Sequence, residues 1–437
     1  MPLKPIAIIA AVLAIAGAVG LLVAAIRGHH WWSRALLVLP ALCLLGLVAV
    51  LIPYIFGLSA PHAFFHSPAP VPDTASVYSW VGTGLDVDGP RLIAVNARTG
   101  QQRWQNSPAI LGTSVTQAGT MLYSVSYQSA GVSLYAVNGA NGASVWHEDL
   151  PNMWTQSAAE VVDGTPVLSV QDAAGGKLGP PLLYAFRSSD GHQLWHESVG
   201  DTFSGPIQLS GGSGLVITHL DNGALQAWSV SDGHPVWDAP PFDGQIAVGA
   251  NDVFELTKDG TVIAISTQTG TLLWQSRVPG DVRAGVIARN TIYVTAQPDT
   301  TNASERLIDP VQVYAFAVAN GERLWSFATK SLDAGSLVAS AQGVYVDVDE
   351  GIYALRPSDG KLLWHNDTSG WRLLAGLSPF VGPVLYVSLI EGVPDQQFPQ
   401  FEQQGQTYLY ALDQHTGSPY WKMPIGPLVT THGLFVY

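Results

Sequence analysis

The chain has 437 residues, 47% of them apolar and only 12% charged, with 45 glycines and 14 tryptophans. It is too long for one compact core of ordinary size, and a Gly- and Trp-rich, charge-poor composition favours many strands joined by tight turns over surface-charged helices. The net charge of −14 argues against a nucleic-acid partner, and the single cysteine, Cys43, excludes an intramolecular disulfide, a cysteine-based metal cluster and a thiol nucleophile outside its own apolar segment.

The first elements are apolar. Pro5 to Ile26 and Ala35 to Leu58 are uncharged stretches of 22 and 24 residues. Each exceeds the roughly 20 residues that cross about 30 Å of hydrocarbon, which predicts a two-helix transmembrane hairpin over residues 1–58. The loop between them, Arg27 to Arg34, holds two arginines and the interfacial pair Trp31 and Trp32. The positive-inside rule puts this loop in the cytoplasm and both termini outside, so the chain is expected in the cytoplasmic membrane with its main domain on the extracytoplasmic side. Residues 59–72 carry four prolines and read as a stiff linker. Residues 1–72 hold Lys4, Arg27 and Arg34 and no acid, leaving 16 Lys and Arg against 33 Asp and Glu in the rest, a net of −17.

From residue 73 one pattern recurs eight times: an Ala, six residues on a Gly, four further on a Trp. The sets are Ala94, Gly100, Trp104; Ala136, Gly142, Trp146; Ala185, Gly191, Trp195; and Ala227, Gly233, Trp237. They continue as Ala264, Gly270, Trp274; Ala315, Gly321, Trp325; Ala354, Gly360, Trp364; and Ala411, Gly417, Trp421. Each Gly follows Thr, Asn or Asp, a pair that marks a hairpin needing positive φ. The Ala lies on the strand entering that turn and the Trp on the strand leaving it, so the small residue leaves room for a large ring against backbone. A buried Trp removes roughly 150–250 Å² from water, worth about 4–6 kcal/mol at the upper bound. Runs rich in β-branched and aromatic residues precede each motif, among them Met121–Tyr127, Leu215–Thr218, Thr291–Thr295 and Gly343–Asp347. Less regular runs such as Ile110–Val115 precede those. Each unit is therefore a four-strand meander, A to D, with the Gly between C and D.

Successive glycines lie 37 to 57 residues apart. Four antiparallel strands per unit of this length, repeated radially, predict an all-β, eight-bladed propeller over 73–437. The chain enters at Ser76–Trp80, a B strand without its A. The C-terminus holds two strand-like runs, Leu428–Thr431 and Leu434–Tyr437, either of which would supply the missing strand and remove the open edge.

The motif resembles the quinoprotein repeat, also called the PQQ-like or tryptophan-docking repeat, Ala-x-Asp-x-x-Thr-Gly-x-x-x-Trp. Ala411, Asp413, Thr416, Gly417 and Trp421 match every defined position; the other copies depart at the Asp, and several replace the Thr with Asn or Asp. The resemblance implies the fold but leaves function open, because the family includes dehydrogenases that bind pyrroloquinoline quinone with calcium and non-catalytic BamB-like scaffolds. Without cysteines the domain cannot be the dehydrogenase subtype with a vicinal disulfide. The quinone carries three carboxylates and needs cations near the channel mouth. The first four D-to-B connections (105–120, 147–164, 196–213, 238–251) contain no Lys or Arg; the remainder contributes Arg277, Arg283, Arg289, Lys330, Arg372 and Lys422.

Other site signals are weak. Asp86-Val-Asp88-Gly89 opens like a calcium loop, but position twelve is Ala97 and a plain turn is expected. His147, His196 and His365 each follow the repeat Trp, so they occupy equivalent places on different blades and cannot share a metal. The sequons at Asn302 and Asn366 matter only in a eukaryotic secretory pathway. No catalytic or metal-binding residues are assigned.

Three copies are long, and the excess lies between strands B and C, at Asp172–Pro181, Pro298–Pro310 and Glu391–Gln406. In such a meander the B–C and D–A connections share one end of the blade, opposite the Gly turns. Loops elaborated on one face of a repeat array point to a binding surface. The reading from sequence is a membrane-anchored, non-catalytic scaffold of the cell envelope with no resident cofactor, binding a protein or envelope partner through its B–C face. The alternative is a membrane-bound dehydrogenase using pyrroloquinoline quinone and calcium to oxidise a sugar or alcohol.

Overall fold

The computed structural model describes residues 69–81, 91–106, 112–128, 131–154, 159–173, 179–199, 208–220, 223–249, 251–297, 310–331, 334–348, 351–367, 371–373, 380–391, 406–427 and 434–436. The expected transmembrane spans, Cys43, the Asp86–Gly89 turn, Asn302, the run 428–431 and most of the three long B–C connections lie outside these residues. Among the described residues no helix is long and apolar enough to cross a membrane.

The strands form eight antiparallel sheets, each a meander in which A pairs with B, B with C and C with D. Blade 1 takes B, C and D from Ser76–Val81, Arg91–Asn96 and Gln102–Gln105. Blade 2 runs through Gly112–Ala118, Met121–Gln128, Gly131–Asn138 and Ser144–Pro151. In blade 3 the A position is split between Met153–Trp154 and Glu160–Val162, followed by Thr165–Asp172, Pro181–Phe186 and Gln193–Ser198. Blade 4 is Gln208–Gly212, Leu215–His219, Leu225–Ser229 and Pro235–Ala239; blade 5 is Gly244–Val248, Asp252–Thr257, Thr261–Ser266 and Leu272–Arg277. Blade 6 is Asp281–Ala288, Thr291–Gln297, Gln312–Ala317 and Arg323–Ala328; blade 7 is Ala334–Ala339, Val344–Val348, Gly351–Leu355 and Leu362–Asp367. Blade 8 splits its A position between Trp371–Leu373 and Phe380–Val381, then runs Val384–Glu391, Gln406–Asp413 and Pro419–Pro427.

The ring closes with Leu434–Val436, the later of the two C-terminal runs. It pairs with Ser76–Val81 through Val77–Val436, Tyr78–Phe435 and Ser79–Leu434, giving blade 1 its A strand.

All eight C–D turns have one geometry. The glycine sits at φ between +66° and +76°, and its N–H donates to the carbonyl four residues back at 2.8–2.9 Å. The residue before each glycine keeps a negative φ, so only glycine takes the left-handed conformation that side chains disfavour. Where the family pattern has Asp, Asp413 and Asn96 accept backbone N–H bonds inside the turn. Blades 3 and 7 carry Arg there and Asp before the glycine, and the two pair across the turn, Arg187–Asp190 at 3.0 Å and Arg356–Asp359 at 3.3 Å.

Directly after the turn every C–D pair has a β-bulge. The repeat Ala faces its own Trp, and the residue just before the Trp has no partner on strand C. Several of these extra residues are exposed aliphatics, Val145, Leu194, Val236, Leu273 and Leu324. The bulge gives each D strand an extra local twist that turns the Trp toward the neighbouring blade.

Candidate functional site

The two ends of the blades differ in what holds them. At the C–D end each Trp crosses to the next blade. Its ring lies over that blade's turn glycine, where an added Cβ would stand within 2.8 Å of a ring carbon at all eight glycines. Its Nε1–H donates to a turn carbonyl of the same blade at 2.6–3.0 Å, from Trp104 to Gly139 round to Trp421 to Ala97. The eight alanines are fully buried beside these rings. The Ala belongs to the Trp's own blade and the Gly to the next, so each lock takes residues from two blades.

A second residue shares the lock and was missed in the sequence. On strand B the residue opposite the Ala is Tyr or Phe in six blades, and its ring lies 5.6–5.9 Å from the Trp ring. Tyr78, Tyr345 and Tyr386 donate their hydroxyls, each at 3.0 Å, to the carbonyl that already accepts the Trp N–H, on Gly139, Gln414 and Ala97. Burial pushes the Tyr345 and Tyr386 phenols up, which keeps them protonated donors.

At the other end, B–C turns bond to D–A connections. Ala173 N–H donates to Asn152 O, Phe242 N–H to Gly223 O and Val278 N–H to Gly260 O, at 2.7–3.0 Å. These are bonds within a blade or to the connection beside it. Around blades 5 and 6 this end carries three ion pairs, Lys258–Asp243 at 2.7 Å, Arg277–Asp259 at 3.6 Å and Arg283–Asp281 at 3.2 Å. Hydrogen bonds from Thr257 and Thr261 hold the Asp259 carboxyl below its ordinary range, and Asp243 raises Lys258.

Those of the basic residues singled out above whose side chains are described do not converge. Arg277 and Arg283 are matched by acids, while Arg289 lies in an A–B turn at the opposite end, at φ +56°. Lys422 is on a D strand, 4.4 Å over the Tyr408 ring. Lys330 lies in a D–A connection and Arg372 on strand A of blade 8. Among the described residues there is no cationic cradle for a tricarboxylate and no group of three or more His, Cys, Asp or Glu able to hold a metal ion. His147 and His196 stack on the cross-strand Tyr135 and Tyr184 at 5.2–5.3 Å, and His365 lies tilted at 4.1 Å from the cross-strand Tyr353, on three separate blades.

Two carboxyls are out of place for a surface role. Glu255, on strand B of blade 5, is only 4% exposed, and its Oε1 has no hydrogen-bond partner among the described residues. Burial pushes it up to about 7, as it does Glu160 on strand A of blade 3.

The family model described as outer membrane protein assembly factor BamB matches residues 63–206 and 221–384. The chain belongs to this family. It is 27% identical to the outer membrane protein assembly factor BamB of Yersinia pestis over 252 residues, 52% of this chain and 60% of that protein. It is 29% identical to that of Burkholderia pseudomallei (strain K96243) over 281 residues, 61% of this chain and 66% of that protein. The chain thus spans about three fifths to two thirds of these relatives. The quinohemoprotein alcohol dehydrogenase from Comamonas testosteroni shares the fold, with a TM-score of 0.52 at 14% identity over 81% of this chain and 76% of that one.

Proposed function

We propose that this protein is a non-catalytic binding module of the cell envelope. It engages a protein or envelope component through the end of the ring that carries the B–C and D–A connections. Residues 1–58 hold it in the cytoplasmic membrane, with the propeller on the extracytoplasmic side and no resident quinone or metal.

The observation that carries this reading is the unequal use of the two ends. Every C–D turn has a glycine under a neighbour's indole and a carbonyl bonded to it, so that end is committed to holding the ring together. Among the described residues the B–C end bears no such lock, and the meander assigns all three long connections to it. A surface free of structural duty can vary to fit a partner. Family membership supports an envelope role, and the pairing of Arg277 and Arg283 with acids supports a role without the quinone.

The test is site-specific photo-crosslinking in native membranes. A crosslinker at Ala173 or Asp259, on the B–C end, is expected to capture one defined partner, and one at Asn141 or Ser231, on the C–D end, none. Equal capture from both ends would sink the assignment. In parallel, purified protein is mixed with pyrroloquinoline quinone and calcium. A stoichiometric quinone spectrum with dye reduction would replace the scaffold by a sugar or alcohol dehydrogenase.

A further inference from the structure

Blades 8 and 1 meet where the ring is joined by stretches of chain far apart in sequence. Among the described residues the pairing that completes blade 1 covers three positions, Leu434–Val436 against Ser76–Val81, compared with seven between strands A and B of blade 6.

The same seam receives residues 69–75. Their composition reads as the end of a linker, yet Ala69 and Val71 are buried at 0% and 4% exposure, in one core with Ile93, Tyr386 and Trp421. Their backbone is tied to blade 1. Ala69 N–H donates to Arg98 O at 2.8 Å, and Ala97 N–H donates to Ala75 O at 3.0 Å. Asn96 Nδ2 donates to the Asp73 carboxylate at 2.9 Å, and the Arg103 guanidinium donates to the carbonyls of Asp73 and Ala75. Ala97 is also the residue whose carbonyl receives Trp421 and Tyr386 of blade 8. One turn of blade 1 is therefore gripped from both sides, by blade 8 and by the entering chain.

We propose that residues 69–75 are a clasp on the 8–1 seam. While docked, they hold the Ala97 turn in the position that accepts Trp421 and Tyr386, and they add apolar area to the core that blades 8 and 1 share. When they are pulled out or cut away, that turn loses its outer support and the 8–1 seam loosens before any other. The clasp makes ring closure depend on the chain ahead of residue 69, so tension or cleavage there is felt at one seam.

Hydrogen exchange of the full-length protein in detergent tests this, comparing wild type with the Asn96→Ala/Arg103→Ala double variant and with Val71→Asp. The expected result is roughly tenfold faster exchange in 76–81, 92–97, 384–388 and 409–425, with blades 4 to 6 within about twofold of wild type, as for a local opening. Faster exchange confined to 69–75 would make the segment a passively docked tail. Equal acceleration in every blade would make it a general stabiliser, and either result overturns the clasp. Should both variants misfold, Asp73→Ala removes one side-chain bond only and is expected to give the same pattern at about two- to threefold.

Discussion

Two seams of the ring carry the same motif and differently built surroundings. At the 8–1 seam Trp421 is 1% exposed, Tyr386 adds a second hydrogen bond to Ala97 O, and residues 69–75 cover the junction. At the 4–5 seam Trp237 is 9% exposed and bonds to Thr267 O at 2.7 Å, but Ile217 stands where the tyrosine would be. The 4–5 seam also buries Glu255, whose strand partners are Ile246 and Ile263. The Trp–Gly lock is thus the minimum a seam requires. The seam that must join the two ends of the chain has more than the minimum, and a seam made from continuous chain tolerates a buried acid.

Substitutions can break this contrast. Trp421→Ala is expected to cost about 5 kcal/mol and Trp237→Ala about 3 kcal/mol, because the better packed ring leaves the larger cavity. Denaturant midpoints of the two variants read this directly, and equal losses would erase the difference. Next in size is Glu255→Gln. A carboxyl whose folded value is raised from 4.5 to about 7 favours the protonated form in the fold. Its stabilising share is complete below pH 4.5 and is lost as pH rises through about 7. Wild type should therefore gain stability as pH falls from 8 to 5, and Glu255→Gln should gain up to about 3 kcal/mol at pH 8 and flatten that slope. Part of any slope remaining in the variant comes from Glu160 and Asp252, which burial shifts the same way, and Glu160→Gln reads the share of the first.

Smaller effects test the second donor. Tyr386→Phe, Tyr345→Phe and Tyr78→Phe should each cost about 1 kcal/mol, since the carbonyl keeps its bond to the indole. The smallest change is expected from Arg187→Ala. Its pair with Asp190 is about half exposed and is worth no more than about 0.5 kcal/mol by thermal melting.

The repeat, the blade count and the closing of the ring by its C-terminus were legible in the sequence, because glycine in a left-handed turn and tryptophan four residues later leave a fixed spacing. The tyrosines were not. Tyr345 precedes its Trp by 19 residues and Tyr386 by 35, because the B–C connection between them varies, so the pair leaves no constant interval. The bulge before each Trp was also hidden: an exposed Leu273 or Leu324 in a strand reads like any alternating residue. The packing of Ala69 and Val71 was masked by four prolines, which signal stiffness whether or not the segment is buried. Glu255 gave no sign either: between Phe254 and Leu256 it reads as an outward strand residue, whereas it shares the face of Val253, which packs in one core with Leu215, Ile217 and Trp237 of blade 4. For the candidate binding surface, sequence indicated which end is elaborated, whereas the bonds that commit the other end to ring assembly emerged only in three dimensions.

The bulge has a consequence for how this molecule behaves in a crowd. An eight-bladed ring presents outer strand edges, each with unpaired backbone groups that could recruit a strand from another molecule. Here each such edge is interrupted at the same point, one residue before the indole, and blade 8, with the longest outer strand, adds Pro419, Pro424 and Pro427. A foreign strand laid along any of them meets a break in register within a few residues. The irregularity that aims the tryptophan inward thereby also works against edge-to-edge pairing, on a rim that carries exposed leucines.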